Sequence, residues 1–565
     1  MKLIECVPNF SEGRDPAKIK TITDVIAAVD GITVLDVDPG TDTNRTVVTF
    51  VGEPEAVAEA AFQGIKTASK VIDMSQQTGT HSRMGATDVC PFIPVSNVSD
   101  EGCIELSKQV GQRVGNELDI PVYLYEKSAQ SDDRVKLPDI RKGEYEGLAE
   151  KLNDPNWKPD FGPTKLHVKA GATVIGCREF LIAYNINLNT KDHRMATDIA
   201  FELRETGRSK RIPNPNSKNL LDGEIVRHKD GKPVKVPGMF KDVKGIGWYV
   251  GTFNRAQISI NFNNYKVSTI HDVYDAACKL ADERGIQVTG SELVGLIPLE
   301  AMVMAGKHYL KKQNRSIGVP AADIVECAVQ SLGLNDVTKF DPQEKIIDYA
   351  VQSEDRPLMG LTGTGFVEEL STNSPAPGGG SVSALVGSLG AALSSMVAAL
   401  THEKKEMLES KPEMNAIGVE AQFLKDRLSF LVDEDTNAFN EVMKANRLSV
   451  TTTEEEKAKA KAVESANKYA IDIPFETAEK CYRVIELAVV LVEKGNPNSV
   501  SDVGVAAEVA LAGVRGACMN VLINLSGVDN QAYCDEKRSA MNELIQKAEA
   551  KHKYVFEKTF EVIEN

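Results

Sequence analysis

No CxxC pair and no cysteine–histidine cluster occurs among the nine cysteines, so the ligand spacing of a zinc site is missing. An odd number of scattered thiols fits a reducing compartment, and a cytoplasmic chain is expected. A basic surplus is missing too. The formal net charge is −16, which argues against a phosphate backbone as the main partner. The opening Met1-Lys2-Leu3-Ile4-Glu5 has no apolar core of leader length, and no secretory signal is expected. One long stretch, residues 381–400, lacks charge altogether. It also lacks an aromatic belt and a flanking basic cluster, and it carries five serines. A helix buried in a soluble bundle is expected there rather than a membrane span.

With 565 residues, 42% hydrophobic and 26% charged, the chain has a globular composition and the length of several domains. Residues 3–7 read as a strand, and residues 15–28 space Ile19, Ile22, Val25 and Ile26 as a helix does. β-Branched runs follow at 32–37 and 46–51, separated by the turn-rich Asp38-Pro39-Gly40-Thr41-Asp42. Then come a helix at 53–72, a strand at 89–94, a helix at 101–118 and a strand at 122–124. Strand, helix, strand pair, helix, strand is the order of a split βαβ, ferredoxin-like sheet layered with helices. The order recurs. Asn44-Arg45-Thr46-Val47-Val48-Thr49-Phe50 is echoed by Asn254-Arg255-Ala256-Gln257-Ile258-Ser259-Ile260, and Phe92-Ile93-Pro94-Val95 by Leu296-Ile297-Pro298-Leu299. Two related α/β subdomains are therefore expected, 1–178 and 179–330, the second opening on a strand at 180–186. Residues 212–238, polar and rich in Pro, Gly and Lys, read as a surface excursion with a hairpin turn at Asp230-Gly231.

The first copy holds a stretch that the second lacks: Gly79-Thr80-His81-Ser82-Arg83-Met84-Gly85-Ala86, followed by the strand-like Asp88-Val89-Cys90-Pro91-Phe92-Ile93-Pro94-Val95. A histidine between glycines at the mouth of a strand is placed for proton transfer near neutral pH. A structural or solvated histidine is the alternative. Between the subdomains lies Gly162-Pro163-Thr164-Lys165-Leu166-His167-Val168-Lys169-Ala170-Gly171. It reads equally as a connector or as a ligand loop, whose Lys165 and Lys169 would favour an anionic tail.

Residues 331–364 read as a linker, with a short helix at 341–349 and then a polar Gly/Pro stretch. From 365 to 565 the β-branched alternation gives way to long helical periods, so an all-α helical bundle is expected. Gly378-Gly379-Gly380 leads into the small-residue helix, either presenting backbone N–H groups to a polar ligand or allowing close packing. No Walker lysine follows. Further on, Asp435 lies mid-stripe among Leu428, Leu431, Val432, Phe439 and Val442, within about 60° of each around a helix, whereas Asp433 points the other way. Desolvation raises the pKa of a carboxylate in such a place, which points to function or to a structural cap.

Several of these stretches carry a resemblance. Glu5-Cys6-Val7-Pro8-Asn9-Phe10-Ser11-Glu12-Gly13, the His81 loop, the run from Asp88, Pro121-Val122-Tyr123-Leu124-Tyr125 and Gly247-Trp248-Tyr249 resemble glutamate formimidoyltransferase, over residues 1 to about 329. Residues 365–563 resemble formimidoyltetrahydrofolate cyclodeaminase and the methenyltetrahydrofolate cyclohydrolases. There the shared stretches are the loop at 376–382, Leu431-Val432-Asp433-Glu434-Asp435, Ser501-Asp502-Val503-Gly504-Val505-Ala506-Ala507 and Asn520-Val521-Leu522-Ile523-Asn524-Leu525.

The resemblance implies a bifunctional folate enzyme of histidine breakdown and one-carbon metabolism, a transferase fused to an ammonia-releasing lyase. Such an enzyme moves a formimino group from N-formimino-L-glutamate to N5 of tetrahydrofolate. It then cyclises the product to 5,10-methenyltetrahydrofolate. The resemblance implies catalytic roles for His81 and Asp435, a folate-lining role for the loop from Gly162 to Gly171, and no metal or redox cofactor. On that basis Asn44, Arg45 and Arg83 are candidates for the substrate carboxylates, with a structural salt bridge or turn cap as the alternative for the Asn–Arg pairs. Gly378, Gly379, Gly380, Asp502 and Asn524 are candidates for contacts in the second site, a packing role staying open for Asn524. The implied partners are a polyglutamylated folate and further copies of the chain, an octamer in the family, with no nucleic acid and no membrane. The rival readings are a formyl-transferring folate enzyme with a cyclohydrolase tail, and a folate-binding scaffold without turnover.

Overall fold

The structure, a computed structural model, describes residues 2–41, 44–79, 82–350 and 356–564. His81 and Thr80 lie outside the described residues, as do Asp42 and Thr43 at the expected turn. The chain divides into two compact units, Met1–Met304 with Leu332–Gln352, and Ala305–Ser331 with Ser353–Asn565.

In the first unit, β1 (Leu3–Cys6) and β2 (Asn9–Phe10) share one lane of a sheet. Antiparallel neighbours flank that lane: β3 (Ile32–Gly40) pairs with β4 (Arg45–Gly52), β4 with the lane, and the lane with β5 (Thr87–Ser96). Beyond β5 run β6 (Val122–Leu124) and β7 (Thr173–Cys177), with β7 parallel to both β5 and β6. Three helices, α1 (Pro16–Ala27), α2 (Pro54–Val71) and α3 (Asp100–Leu118), cover one face. Their Ile22, Ile26, Phe62, Ile65 and Val114 join Ile4, Phe50 and Phe92 in one buried cluster. The start of α1 is set by Asp15, whose side chain accepts from the N–H groups of Ala17 and Lys18 ahead of Pro16 in the first turn. β3 runs further than the turn-rich sequence implies: Asp38, Pro39 and Gly40 pair with Val47, Thr46 and Arg45. A proline fits there because β3 is an edge strand, whose outer N–H positions need no partner.

The second sheet holds β8 (Ile182–Leu188), β9 (Val243–Val250), β10 (Arg255–Phe262) and β11 (Val288–Val294) in the antiparallel order β9-β10-β8-β11. Two helices, α4 (His193–Leu203) and α5 (Ile270–Glu283), complete it. Strand for strand, this is the order β3-β4-β1-β5, so the repeat in sequence is a repeat in topology. Asn44 and Asn254, which open the echoed motifs, both adopt left-handed backbone, with φ of 50° and 53°. The other echo differs. β11 ends at Val294, and Ile297 makes a lone parallel bridge to Ile346. The excursion forms two short strand pairings and a hairpin turning at Asp230-Gly231, where Gly231 has φ +80° and the His228 N–H donates to the Lys232 carbonyl (2.9 Å).

The second unit contains the long helices α6 (Gly379–Glu403), α7 (Lys411–Asn446), α8 (Thr453–Lys494), α9 (Val500–Asn524) and α10 (Gln531–Glu564). α6 packs against α7, α8 and α9. It runs antiparallel to α9: a Cβ on Gly379 would lie 3.4 Å from Asn520 Nδ2, and one on Gly390 2.8 Å from the Ala506 carbonyl oxygen. Two helical stretches, Gly379–Glu403 and Pro497–Gly527, are long and apolar enough to cross a membrane by length and composition. In their most apolar windows 56% and 50% of the residues are buried by the rest of the chain. Both helices are apolar on two sides. One side fills the bundle core, and the other leaves Leu389, Met396 and Leu400 of α6 and Val505, Met519 and Ile523 of α9 exposed.

Candidate functional site

Two glycines zip the stretch after His81 onto the loop at 162–171. A Cβ on Gly85 would lie 2.1 Å from the Ala172 carbonyl oxygen, and one on Gly171, whose φ is +68°, 2.1 Å from that of Met84. Neither position accepts a side chain. The Ala86 N–H donates to the Ala170 carbonyl (2.8 Å) and the Ala172 N–H to the Met84 carbonyl (3.2 Å), closing the seam. Within the loop, the Ala170 N–H donates to His167 Nδ1 (3.0 Å) and the Tyr145 hydroxyl to the Val168 carbonyl (2.6 Å). Gly162, Thr164, Lys165, Val168 and Lys169 are exposed, Pro163, Leu166 and His167 half-buried, and Ala170 and Gly171 buried. The two stretches singled out from sequence in this half are thus neighbours.

Arg83 is not the open carboxylate grip that was expected. It donates to Glu144 (2.8 Å), to Glu146 (2.7 and 3.1 Å) and to the side chain and carbonyl of Gln77 (2.8 and 3.2 Å). Burial opposes its charge, but Glu146 and Glu144 outweigh that and hold the guanidinium above its ordinary pKa. Its fork clamps residues 144–146 onto the loop. Asn44 is also structural: its Oδ1 accepts from the Gly13 N–H (3.0 Å) and its Nδ2 donates to the Thr78 carbonyl (2.8 Å).

Arg45 stands differently. Its Nε donates to Asn9 Oδ1 (2.8 Å), and burial pushes its pKa down to about 10, with Asp88 opposing and Arg141 adding to the shift. Asp88 is fully buried and accepts from the Met84 N–H (2.9 Å) and from the Arg141 guanidinium. The Nε of Arg141 is buried without a partner among the described residues. Two guanidiniums thus lie around one buried carboxylate. Sequence reasoning missed the buried pairing of Asp88 with Arg141. Asp88 had a signal, as the one charge in an apolar run; Arg141, in a polar stretch, had none.

In the second unit Asp435 meets the glycine-rich loop. A Cβ on Gly380 would lie 2.0 Å from Asp435 Oδ1, so the carboxylate occupies the space a side chain would need. Ser381 Oγ lies 3.2 Å from Asp435 Oδ2 and 2.9 Å from the Val432 carbonyl oxygen. With one proton it donates to one of them at a time. Gly378 caps α6, and the Ala376-Pro377 peptide before it is cis. Burial raises the pKa of Asp435, while the Ser381 hydroxyl and N–H pull it back without cancelling the rise. The result is a carboxyl group suited to hold and release a proton beside the loop.

Asp433 points away from Asp435 yet is buried, at 7% exposure. It accepts from the N–H groups of Leu358 (2.8 Å) and Met359 (3.3 Å), which cover that side of α7. Asp502 is not brought to the site within this chain. It lies in the first turn of α9, whereas Asn520 near the other end of that helix is the residue beside Gly379, roughly 25 Å away at 1.5 Å per residue. Asn524 has a structural task. Its Nδ2 donates to the Ala470 carbonyl (2.7 Å), the acceptor that Pro474, four residues on in α8, leaves without its helical N–H.

Comparison with known proteins covers both units. Residues 3–178 match the family described as formiminotransferase domain, N-terminal subdomain; residues 183–352 match the formiminotransferase domain; residues 362–543 match formiminotransferase-cyclodeaminase. The formimidoyltransferase-cyclodeaminase of Dictyostelium discoideum is 40% identical over 568 residues, covering 100% of this chain and 99% of the relative. The glutamate formimidoyltransferase of Thermoplasma acidophilum is 41% identical over 313 residues, 55% of this chain and 93% of its own. The methenyltetrahydrofolate cyclohydrolase of Methylorubrum extorquens is 37% identical over 192 residues, 34% of this chain and 92% of its own. With one relative matched from end to end, the chain belongs to the formimidoyltransferase-cyclodeaminase family.

Proposed function

We propose that the chain carries out two consecutive steps on folate. The first unit transfers the formimino group of N-formimino-L-glutamate to N5 of tetrahydrofolate; the second closes 5-formiminotetrahydrofolate to 5,10-methenyltetrahydrofolate and releases ammonia. The observation that carries this reading is the full-length match to a formimidoyltransferase-cyclodeaminase, together with Asp435 seated against Gly380 and Ser381.

In the first step N5 attacks the amidine carbon and loses a proton, the bond to the glutamate nitrogen breaks, and that nitrogen gains a proton. His81 serves both transfers as a single acid–base group. The loop from Gly162 to Gly171 lines the folate, a role supported by its seam with the stretch after His81. Arg45 and Arg141 face the carboxylates of the donor. In the second step N10 attacks the same carbon, and the bond to the outer nitrogen breaks. Asp435, its pKa raised by burial, takes the proton that N10 gives up and passes it to the outer nitrogen, which gains one further proton from solvent and leaves as ammonia.

Both sheets of the first unit are read as ferredoxin-like, on the strength of their shared strand order. The chain works as a cytoplasmic homo-oligomer, an octamer as the resemblance implies. The apolar stripes left exposed on α6 and α9 support association through the second unit.

The test supplies tetrahydrofolate and N-formiminoglutamate, and follows methenyltetrahydrofolate by near-ultraviolet absorbance alongside ammonia. The wild type yields both products, His81→Ala neither, and Asp435→Asn only the 5-formimino compound. Turnover of N-formylglutamate in place of the formimino donor would favour the formyl-transferring reading instead.

A further inference from the structure

A cavity of about 470 Å³ opens beside the Asp435 site, between Pro375 of the glycine-rich loop and one face of α7. Phe439 and Met443 form its apolar wall, and Lys444 and Arg447 supply its charge. The volume lies in the range of small-molecule sites. Phe439 is one helical turn beyond Asp435, Met443 two and Arg447 three, so their backbones lie roughly 6, 12 and 18 Å along the axis. Around the helix Phe439, Met443 and Arg447 step away from Asp435 by about 40°, 80° and 120°, and Lys444 by about 180°, so the cationic end of the cavity is the end furthest from Asp435. Arg447 makes no ion pair among the described residues, and Lys444 only an exposed contact with Glu441 (3.3 Å). Two cations facing one cavity, in a chain of net charge −16, mark a place for an anionic group.

We propose that this cavity binds the aminobenzoyl-glutamate end of the folate during ring closure. The inference rests on the folate-closing reading above and names the part of the substrate that the Asp435 site grips. A reduced folate presents, from its reacting nitrogens outward, a flat benzoyl ring, an amide and two carboxylates. The ring lies against Phe439 and the Met443 thioether, a favourable sulfur–aromatic contact. The carboxylates, roughly 10 Å further out by bond lengths, reach Arg447 and Lys444, where the guanidinium can take one of them with two hydrogen bonds. A neighbouring cavity of about 380 Å³ on α7 shares Lys444 but is lined by Glu441 and Tyr469. An acid in its wall repels the tail and leaves the Arg447 side as the seat.

The test uses the full chain with supplied 5-formiminotetrahydrofolate. Lys444→Gln with Arg447→Gln raises KM for closure at least tenfold with kcat within twofold of wild type. Arg447→Lys with Lys444 intact is intermediate. With 5-formiminotetrahydropteroate, which lacks the glutamate, variant and wild type have the same KM. A second arm titrates p-aminobenzoylglutamate calorimetrically: the double variant binds one equivalent fewer per chain than wild type. Equal KM values on the full substrate, or unchanged binding stoichiometry, overturn the proposal. If the wild type closes no ring, the functional reading falls, and the calorimetric arm still decides whether the cavity holds this ligand.

Discussion

The two sheets of the first unit share a strand order and differ in what surrounds the same arginine. Arg255 opens β10 as Arg45 opens β4, each after a left-handed asparagine. Arg255 donates to Asp336 (2.7 Å) and Thr289 (2.9 Å), and Asp336 also accepts from Asn187 (3.0 Å). Asn187 accepts from Gln257 (2.7 Å), and Gln257 and Asn185 both reach Glu292 (3.2 Å each). Each member of that chain meets the next, and the arginine's charge is answered. Arg45 donates to a neutral asparagine and lies near the buried Asp88 and the guanidinium of Arg141. The comparison separates two meanings of a repeated motif. Asn-Arg marks a corner of the fold in both copies, and only in the second is the arginine tied into a long chain of polar side chains across the sheet.

The sharpest way to break this comparison is to remove the chemistry from the first copy. His81→Ala is expected to slow formimino transfer by about 10²–10⁴-fold while leaving closure of supplied 5-formiminotetrahydrofolate intact, read by separate assays of the two steps. A variant that still transfers would show that the asymmetry between the copies has been misplaced. Next comes the arginine pair. Arg45→Gln should raise KM for formiminoglutamate about tenfold, as loss of a charged hydrogen bond does. Arg255→Gln should instead lower stability by about 1–2 kcal/mol with KM unchanged. Steady-state kinetics and thermal melts on both variants decide it.

A third test concerns Glu5, in the strand lane between β4 and β5. Burial pushes its pKa from the ordinary 4.5 up to about 7, with Arg178 opposing. Between those values the folded chain holds a proton that the unfolded chain releases. The stability of the first unit therefore falls as pH rises across that window and levels off above it. Glu5→Gln removes the slope, and its advantage over wild type grows from pH 5 to pH 8 by on the order of 2–3 kcal/mol. Parallel melts at the two pH values check the sign. The smallest effect belongs to the other unit: Asn524→Ala should lower stability by about 1 kcal/mol and leave both steps unchanged, as a structural asparagine requires.

Much of this was readable from local pattern. Strand and helix order followed from alternation and from 3.6-residue spacing, as in β4 and α2; the apolar stripe of α7 marked Asp435, but not that Asp433, off the stripe, is buried too. The unread parts depend on distant partners. Arg83 looked available because Glu144 and Glu146, 61 and 63 residues further along, lie in a stretch without period. Pro39 read as a turn because being at the edge of a sheet is a tertiary property. Asp502 resembled a site residue because a helix sequence does not say which of its ends meets a neighbour's loop.

Pro474 and Asn524 lie on different helices, 50 residues apart, and one hydrogen bond joins their fates. With proline at 474, replacing Asn524 strips the Ala470 carbonyl of its donor. Once 474 carries a residue with an N–H, α8 can make its own bond, and position 524 is released to vary. The path between the two states is therefore one-way in its cheap direction: proline is exchanged first, asparagine second. The double variant Pro474→Ala with Asn524→Ala should lose less stability than the sum of its parts, and a lineage of such proteins would travel through one of its two intermediates far more readily than through the other.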